Sequence, residues 1–110
     1  MKIGIVIINW NGLNLLKKYL NKIILNSDNS TVYIIDNNSS DESILYVREN
    51  YKEVKIISLD KNYGFAEGYN KGLKEVEEDY ICIINNDILV TKEWLDPIRR
   101  KFKKDPESIV

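Results

Sequence analysis

The sequence predicts an α/β fold: a parallel sheet with helices on both of its faces. Three observations carry this reading. Short, continuous, β-branched runs such as Ile3-Gly4-Ile5-Val6-Ile7-Ile8 and Tyr80-Ile81-Cys82-Ile83-Ile84 read as strands buried on both faces rather than half-exposed ones. Segments whose apolar residues recur at helical spacing separate them. The strands also end directly in polar residues, at the edge where an open α/β sheet places its ligands.

Taken in order, the first strand runs through Ile8 and is broken by Asn9-Trp10-Asn11-Gly12. Leu15, Leu16, Tyr19, Leu20, Ile23 and Ile24 predict a helix from about Asn14 to Leu25. Asn26 to Ser30 is a loop by composition. Thr31-Val32-Tyr33-Ile34-Ile35 is a second strand ending at Asp36. Ser39 followed by Glu42 matches a capping box, and Ile44, Val47 and Tyr51 mark the buried stripe of the helix it would start. Val54 to Leu59 alternates more, as a strand near a sheet edge does. Asp60-Lys61-Asn62-Tyr63-Gly64 opens a third helix with Phe65, Tyr69, Leu73 and Val76 facing inward. After the fourth strand, Thr91 can cap a last helix with the stripe Trp94, Ile98 and Phe102, unless Pro97 makes it restart at Asp96. Arg99, Arg100, Lys101, Lys103 and Lys104 crowd that helix's end, and Asp105-Pro106 stops it. Ser108-Ile109-Val110 reads as the start of a further strand.

The order β-α-β-α-β-α-β-α with right-handed crossovers favours the Rossmann-like strand order 3-2-1-4. The 110 residues form one domain, 1–110, with no repeat or internal boundary. Sixteen basic and seventeen acidic side chains balance to −1, which gives no general drive toward nucleic acid. The lone cysteine, Cys82, excludes an internal disulfide and a thiolate zinc site; inside a strand it reads as a buried, inert thiol. The absence of histidine removes Ser-His and Cys-His nucleophile pairs. The first apolar run is too short to span a membrane, so the expectation is a cytoplasmic protein.

In order 3-2-1-4 the switch point lies between the first and fourth strands. Asn9-Trp10-Asn11 and Asn85-Asn86-Asp87 line it from two sides, with Asp36 nearby. Asp87 suits magnesium or manganese, which often take one or two protein carboxylates and leave the rest to water and phosphates. Asn85 and Asn86 can hydrogen-bond ribose or phosphate; on its own, such a tripeptide is equally a turn or cap. Asp36 suits two readings, an acceptor for a base N–H or an Asx turn into the next helix. Trp10 offers a flat face for a base, or serves as a core or rim aromatic. Gly64 can admit a phosphate at a helix start, whereas Gly68 and Gly72 fit helix–sheet packing better. Neither a dinucleotide fingerprint after the first strand nor a P-loop is present.

Four stretches then form a pattern: Ile7-Ile8-Asn9-Trp10-Asn11-Gly12, Ile35-Asp36-Asn37-Asn38-Ser39-Ser40-Asp41, residues 62–72 (Asn62 to Gly72), and Ile84-Asn85-Asn86-Asp87. In this order and spacing the chain resembles the family 2 glycosyltransferases of the GT-A fold, in their rhamnosyltransferase-like branch. The resemblance implies inverting transfer of a sugar from a nucleoside diphosphate, UDP, dTDP or GDP, with Mg2+ or Mn2+ on the diphosphate. It assigns Trp10 and Asp36 to the base, brings Asn9, Asn11, Asn62, Gly64, Phe65, Asn85 and Asn86 into the nucleotide-sugar site, and makes Asp87 the metal ligand. Asn85 departs from the family's D-x-D motif, replacing its first carboxylate, which implies weaker metal affinity or a metal held mostly by the diphosphate.

Members of that family continue into an acceptor-binding half carrying the catalytic base, and this chain stops at Val110 before either. The expectation is therefore a donor-binding portion, truncated, split or shortened, with no catalytic base assigned. A module that binds a nucleotide-sugar or another protein without turnover is the competing reading. A sugar nucleotidyltransferase lacks support, because no glycine- and arginine-rich loop follows the first strand. An open sheet edge would favour pairing of two copies. The basic helix end would suit an anionic membrane surface or simply a solvated, dipole-complementing face.

Overall fold

A computed structural model describes residues 2–104. The elements are β1 (Ile3–Asn9), α1 (Leu13–Leu25), β2 (Ser30–Asp36), α2 (Ser43–Asn50), β3 (Lys55–Ser58), α3 (Gly64–Gly72), a 3₁₀ turn (Leu73–Glu75), β4 (Tyr80–Ile84) and α4 (Asp96–Lys104). The four strands are all parallel in the order β3-β2-β1-β4, as expected. Parallel neighbours share a level, so Asn9 stands beside Asp36 and Asp36 beside Ser58. Ile7 pairs with Ile84, and continuing that register brings Asn86 opposite Asn9. The polar strand ends thus collect along one edge.

The central strand β1 is buried throughout. Its Ile3, Ile5 and Ile7 pack against Leu16, Leu20 and Ile23 of α1, Val47 of α2, and Leu95. Its Val6 and Ile8, with Tyr33, Ile35 and Ile57, pack on the opposite side against Tyr69, Leu73 and Val76. Helices therefore cover both faces. Each fully buried Leu or Ile contributes about 1.5–3 kcal/mol, so these two layers dominate the stability of the domain.

Several local expectations need correction. The β4 run is buried on one face only: Ile81 and Ile83 are 37% and 50% exposed. The reason is the path of α3. A Cβ on Gly68 would lie 2.7 Å from Ile8 Cδ1, and one on Gly72 would lie 2.3 Å from Ile35 Cδ1. These two glycines press α3 onto β1 and β2 and leave β4 uncovered on that side. Phe65, expected to face inward, is 64% exposed; it sits in the first turn of α3, beyond the strand ends, where it lines a cleft instead of the core.

The Ser39–Glu42 capping box does not form. The helix starts later, at Ser43, and Glu42 makes no side-chain cap. Ser39 Oγ instead donates to Asp36 Oδ1 at 2.6 Å, while Asp41 Oδ1 takes the Ser43 N–H at 3.0 Å. The last helix restarts at Asp96, with Pro97 in its first turn, where the missing N–H breaks no bond. Trp94 consequently lies in the preceding turn, its Nε1 donating to Ser27 Oγ at 2.8 Å. Ile98 reaches the core and Phe102 packs on Tyr80 with ring centroids 4.6 Å apart. Arg99 leaves the basic crowd: its Nη2 donates to the carbonyls of Asp28 and Asn29. Cys82 is a free, half-buried thiol, and burial pushes its pKa up, which suits an inert role. Asp105-Pro106 and Ser108-Ile109-Val110 lie outside the described residues.

Candidate functional site

Asn9 ends β1 and is 1% exposed. A buried amide must be satisfied, and this one is. Its Nδ2 donates to Asp36 Oδ1 at 3.1 Å and Ser43 Oγ at 3.0 Å, with Ser39 Oγ at 3.3 Å. Its Oδ1 accepts from Asn86 Nδ2 at 3.4 Å. Asp36 is 5% exposed; its Oδ2 takes the Ser39 N–H at 3.0 Å, closing a local turn. The turn reading of Asp36 is therefore present, and Oδ2 still keeps a lone pair for a ligand donor.

Asn11 locks the next loop. Its φ of 48° is left-handed, a conformation asparagine tolerates. Its Oδ1 accepts from the N–H groups of Ser40 at 2.7 Å and Asp41 at 3.2 Å, and its own N–H donates to Ser39 Oγ at 2.9 Å. Between these anchored asparagines, Trp10 stands 56% exposed. Asp41 completes the web by accepting from Leu13 N at 3.2 Å. Burial works against its charge, but donation from Ser43 Oγ, Ser43 N and Leu13 N outweighs that and holds the carboxyl below its usual range.

Asn37, 3% exposed, ties the second strand to the third crossover. Its Nδ2 donates to Gly64 O at 2.9 Å and its Oδ1 accepts from Tyr63 N at 3.1 Å. Asn62 Oδ1 accepts from Gly64 N at 2.9 Å, and Gly64 takes φ 79°, which favours glycine. Tyr69, on the helix that follows, reaches back to the carbonyl of Ile84 at 3.4 Å.

These anchors frame a cleft of about 300 Å³ beyond the carboxyl ends of β1, β2 and β4. Trp10 and Phe65 supply aromatic faces, and Asn37, Asn62, Gly64 and Asn86 supply polar groups. Among the described residues, no charged side chain lines it. A larger groove, about 450 Å³, runs along the opposite edge between Lys2, Glu53, Lys55, Glu77 and Glu78. It offers no aromatic face and lies at the wrong end of the strands for a ligand site of this fold.

Of the residues expected from sequence, Trp10, Asn62, Gly64, Phe65 and Asn86 line the cleft. Asn9, Asn11 and Asp36 form the hydrogen-bonded layer behind it. Asn85 and Asp87 are exposed at the turn that follows β4. Sequence reasoning gave no role to Asn37 or Asp41. A polar residue continuing a buried strand end was the available signal for Asn37, and an Asp two residues before a helix was the signal for Asp41.

Among the described residues, no group of three acidic or thiol side chains gathers to cage a metal. The donor set at the turn is one exposed carboxylate beside two amides. That set fits a hard divalent cation whose other ligands come from water and a diphosphate, not one enclosed by protein.

A parallel sheet in the order β3-β2-β1-β4 with an aromatic and amide-lined cleft at its switch point defines an open α/β domain with a candidate ligand site at the strand ends. The chain belongs to glycosyl transferase family 2, whose model matches residues 4–110. It is 29% identical over 90 residues to the poly-beta-1,6-N-acetyl-D-glucosamine synthase of Staphylococcus aureus strain COL, covering 79% of this chain and 22% of the relative. It is 30% identical over 105 residues to the glycosyltransferase YwdF of Bacillus subtilis strain 168, covering 94% of this chain and 39% of the relative. Structurally it resembles S. aureus TarS 1-349 in complex with UDP-GlcNAc, with a TM-score of 0.82 at 20% identity over 94% of this chain and 32% of TarS 1-349. It also resembles the mannosyltransferase PcManGT of Pyrobaculum calidifontis in complex with GDP-Man and Mn2+, with a TM-score of 0.80 at 20% identity over 94% and 32%. These neighbours have the GT-A fold. The chain spans between about a fifth and two fifths of the curated relatives it matches.

Proposed function

We propose that this chain is the donor-binding part of an inverting glycosyltransferase and holds a nucleoside-diphosphate sugar with Mg2+ or Mn2+ on the diphosphate. The observation that carries the reading is the cleft between Trp10 and Phe65, whose lining residue Asn86 is followed directly by the exposed Asp87. A base stacks on an aromatic face such as Trp10, and its N–H groups meet Asp36 Oδ2. The amides of Asn37, Asn62 and Asn86 suit ribose and phosphate oxygens. Among the described residues no Lys or Arg lines the cleft, so a bound diphosphate needs its charge balanced otherwise. Asp87 would hold a divalent ion there, which when bound would supply charge balance for the leaving diphosphate. The complexes of TarS with UDP-GlcNAc and of PcManGT with GDP-Man and Mn2+ support the ligand class.

In the inverting reaction an acceptor hydroxyl attacks the anomeric carbon as the bond to the diphosphate breaks on the opposite side. The residues described here bind and orient the donor; the base that takes the acceptor's proton is not assigned to any of them. Among the described residues the outer edge of β4 is unpaired, which supports association of two copies. The basic end of α4 supports peripheral contact with an anionic membrane, at a cytoplasmic location. No described helix is long and apolar enough to cross a membrane.

Titrating UDP, dTDP and GDP in Mg2+, which is diamagnetic, while following the two indole N–H resonances tests the site. The Trp10 signal is expected to shift on binding, and that of Trp94, bonded to Ser27, to stay. A shift confined to Trp94, or no binding of any of the three, would overturn the proposal.

A further inference from the structure

We infer that Gly12 and Asn9 are positioning residues for the metal-binding turn, seating Asn86, and through it the Asp87 carboxylate, against the end of β1. This rests on the donor-binding reading above. The observation that carries it is steric. A Cβ on Gly12 would lie 2.4 Å from Asn9 Oδ1 and 2.6 Å from Asn86 Nδ2, closer than packed atoms approach. The Gly12 backbone is ordinary, with φ −102° and ψ 31°, so conformational freedom does not explain the glycine. It leaves room for an asparagine pair.

The pair has one rigid member and one dependent member. Asn9 is buried, and its Nδ2 is committed to Asp36 and Ser43, which fixes where its Oδ1 points. Asn86 Nδ2 meets that oxygen at 3.4 Å. Among the described residues β4 pairs only with β1, so the turn after it is held from this side. Asp87 is exposed and follows the pinned amide directly, so the pin sets where the carboxylate stands. Extra volume at position 12 displaces Asn86 and swings Asp87 without touching the aromatic walls of the cleft.

The measurement is a metal-linkage ratio: the Kd of the tightest-binding of UDP, dTDP and GDP without Mn2+, divided by its Kd with Mn2+. It is taken for the unaltered chain and for Gly12→Ala, Asn9→Ala and Asp87→Ala, with the thermal midpoint of each. The unaltered chain should give a ratio of about tenfold or more, the size of a charge-assisted contact. Gly12→Ala and Asp87→Ala should bring it close to unity. In Gly12→Ala the metal-free Kd should hold within about threefold, whereas general loosening of the fold would weaken metal-free binding and spare the ratio. Should Gly12→Ala fail to fold, Asn9→Ala, which removes the acceptor of the Asn86 amide at a residue outside the metal donor set and adds no volume, decides the matter by the same fall in ratio. A ratio kept in Gly12→Ala or Asn9→Ala but lost in Asp87→Ala overturns this inference and leaves the donor site standing. A ratio kept in Asp87→Ala overturns this inference together with the Asp87 assignment and leaves the donor site standing, whereas no nucleotide binding at all overturns the donor-binding reading as well.

Discussion

Asp41 accepts the N–H of Leu13, the first residue of α1, through one oxygen and that of Ser43, the first residue of α2, through the other. One carboxylate therefore satisfies orphan donors at two helix starts and sits where both dipoles favour a negative charge. Removing the charge with Asp41→Asn should cost about 1–2 kcal/mol at neutral pH, read by urea denaturation. The pH dependence has a definite sign. The folded pKa is depressed, because the donors outweigh burial. Its stabilisation is complete above the unfolded pKa of about 3.9 and is lost as pH falls through the lower folded value. The stability gap between the unaltered protein and Asp41→Asn should thus close in acid; a constant gap from pH 7 to pH 2 would contradict the assignment. Gly72 makes a second residue-scale case. Alanine is the better helix former by about 1 kcal/mol, but here its Cβ would fall 2.3 Å from Cδ1 of Ile35, which is fully buried. Gly72→Ala should therefore destabilise, by about 1–3 kcal/mol; a rise in the thermal midpoint would show that α3 can lift off the sheet.

At the scale of elements, β1 and β4 look alike in sequence and differ in burial. Ile7→Ala in β1 should cost about 2–5 kcal/mol, whereas Ile83→Thr on the uncovered face of β4 should change stability by less than about 1 kcal/mol. Equal losses would mean that β4 is covered after all. The existence and order of the strands could be read from apolar runs, since periodicity is local. Which face of β4 stays bare could not, because it depends on where α3 crosses, and that is set by contacts of Gly68 and Gly72 with Ile8 and Ile35. The capping signals behaved similarly. Ser39 and Glu42 have the right spacing, but Ser39 Oγ bonds Asp36, and Asp41 takes over the helix start. A pattern match records what a side chain can reach locally; it does not record a stronger partner brought in by another strand. Pro97 was more reliable, because its lack of an N–H restricts it to a helix's first turn in any surroundings.

Across the whole molecule, the converging strand ends were legible from the chain, because a β-α-β order with right-handed crossovers leaves few alternatives. The division of labour among the asparagines was not. Asn9 and Asn11 carry the frame, Asn37 joins two crossovers, and Asn62 and Asn86 face the cleft; residue type alone cannot separate these roles. Phe65 moved from an expected core position to the cleft wall, strengthening the aromatic character of the site. The central claim is that this cleft binds a nucleoside diphosphate through a divalent ion on Asp87. It is tested most directly by calorimetric titration of UDP, dTDP and GDP into the chain and into Asp87→Ala, each with and without Mn2+. The account predicts binding that strengthens with Mn2+ and that Asp87→Ala weakens by about 2 kcal/mol in the presence of the ion. Equal affinity of the two proteins in Mn2+ would contradict it.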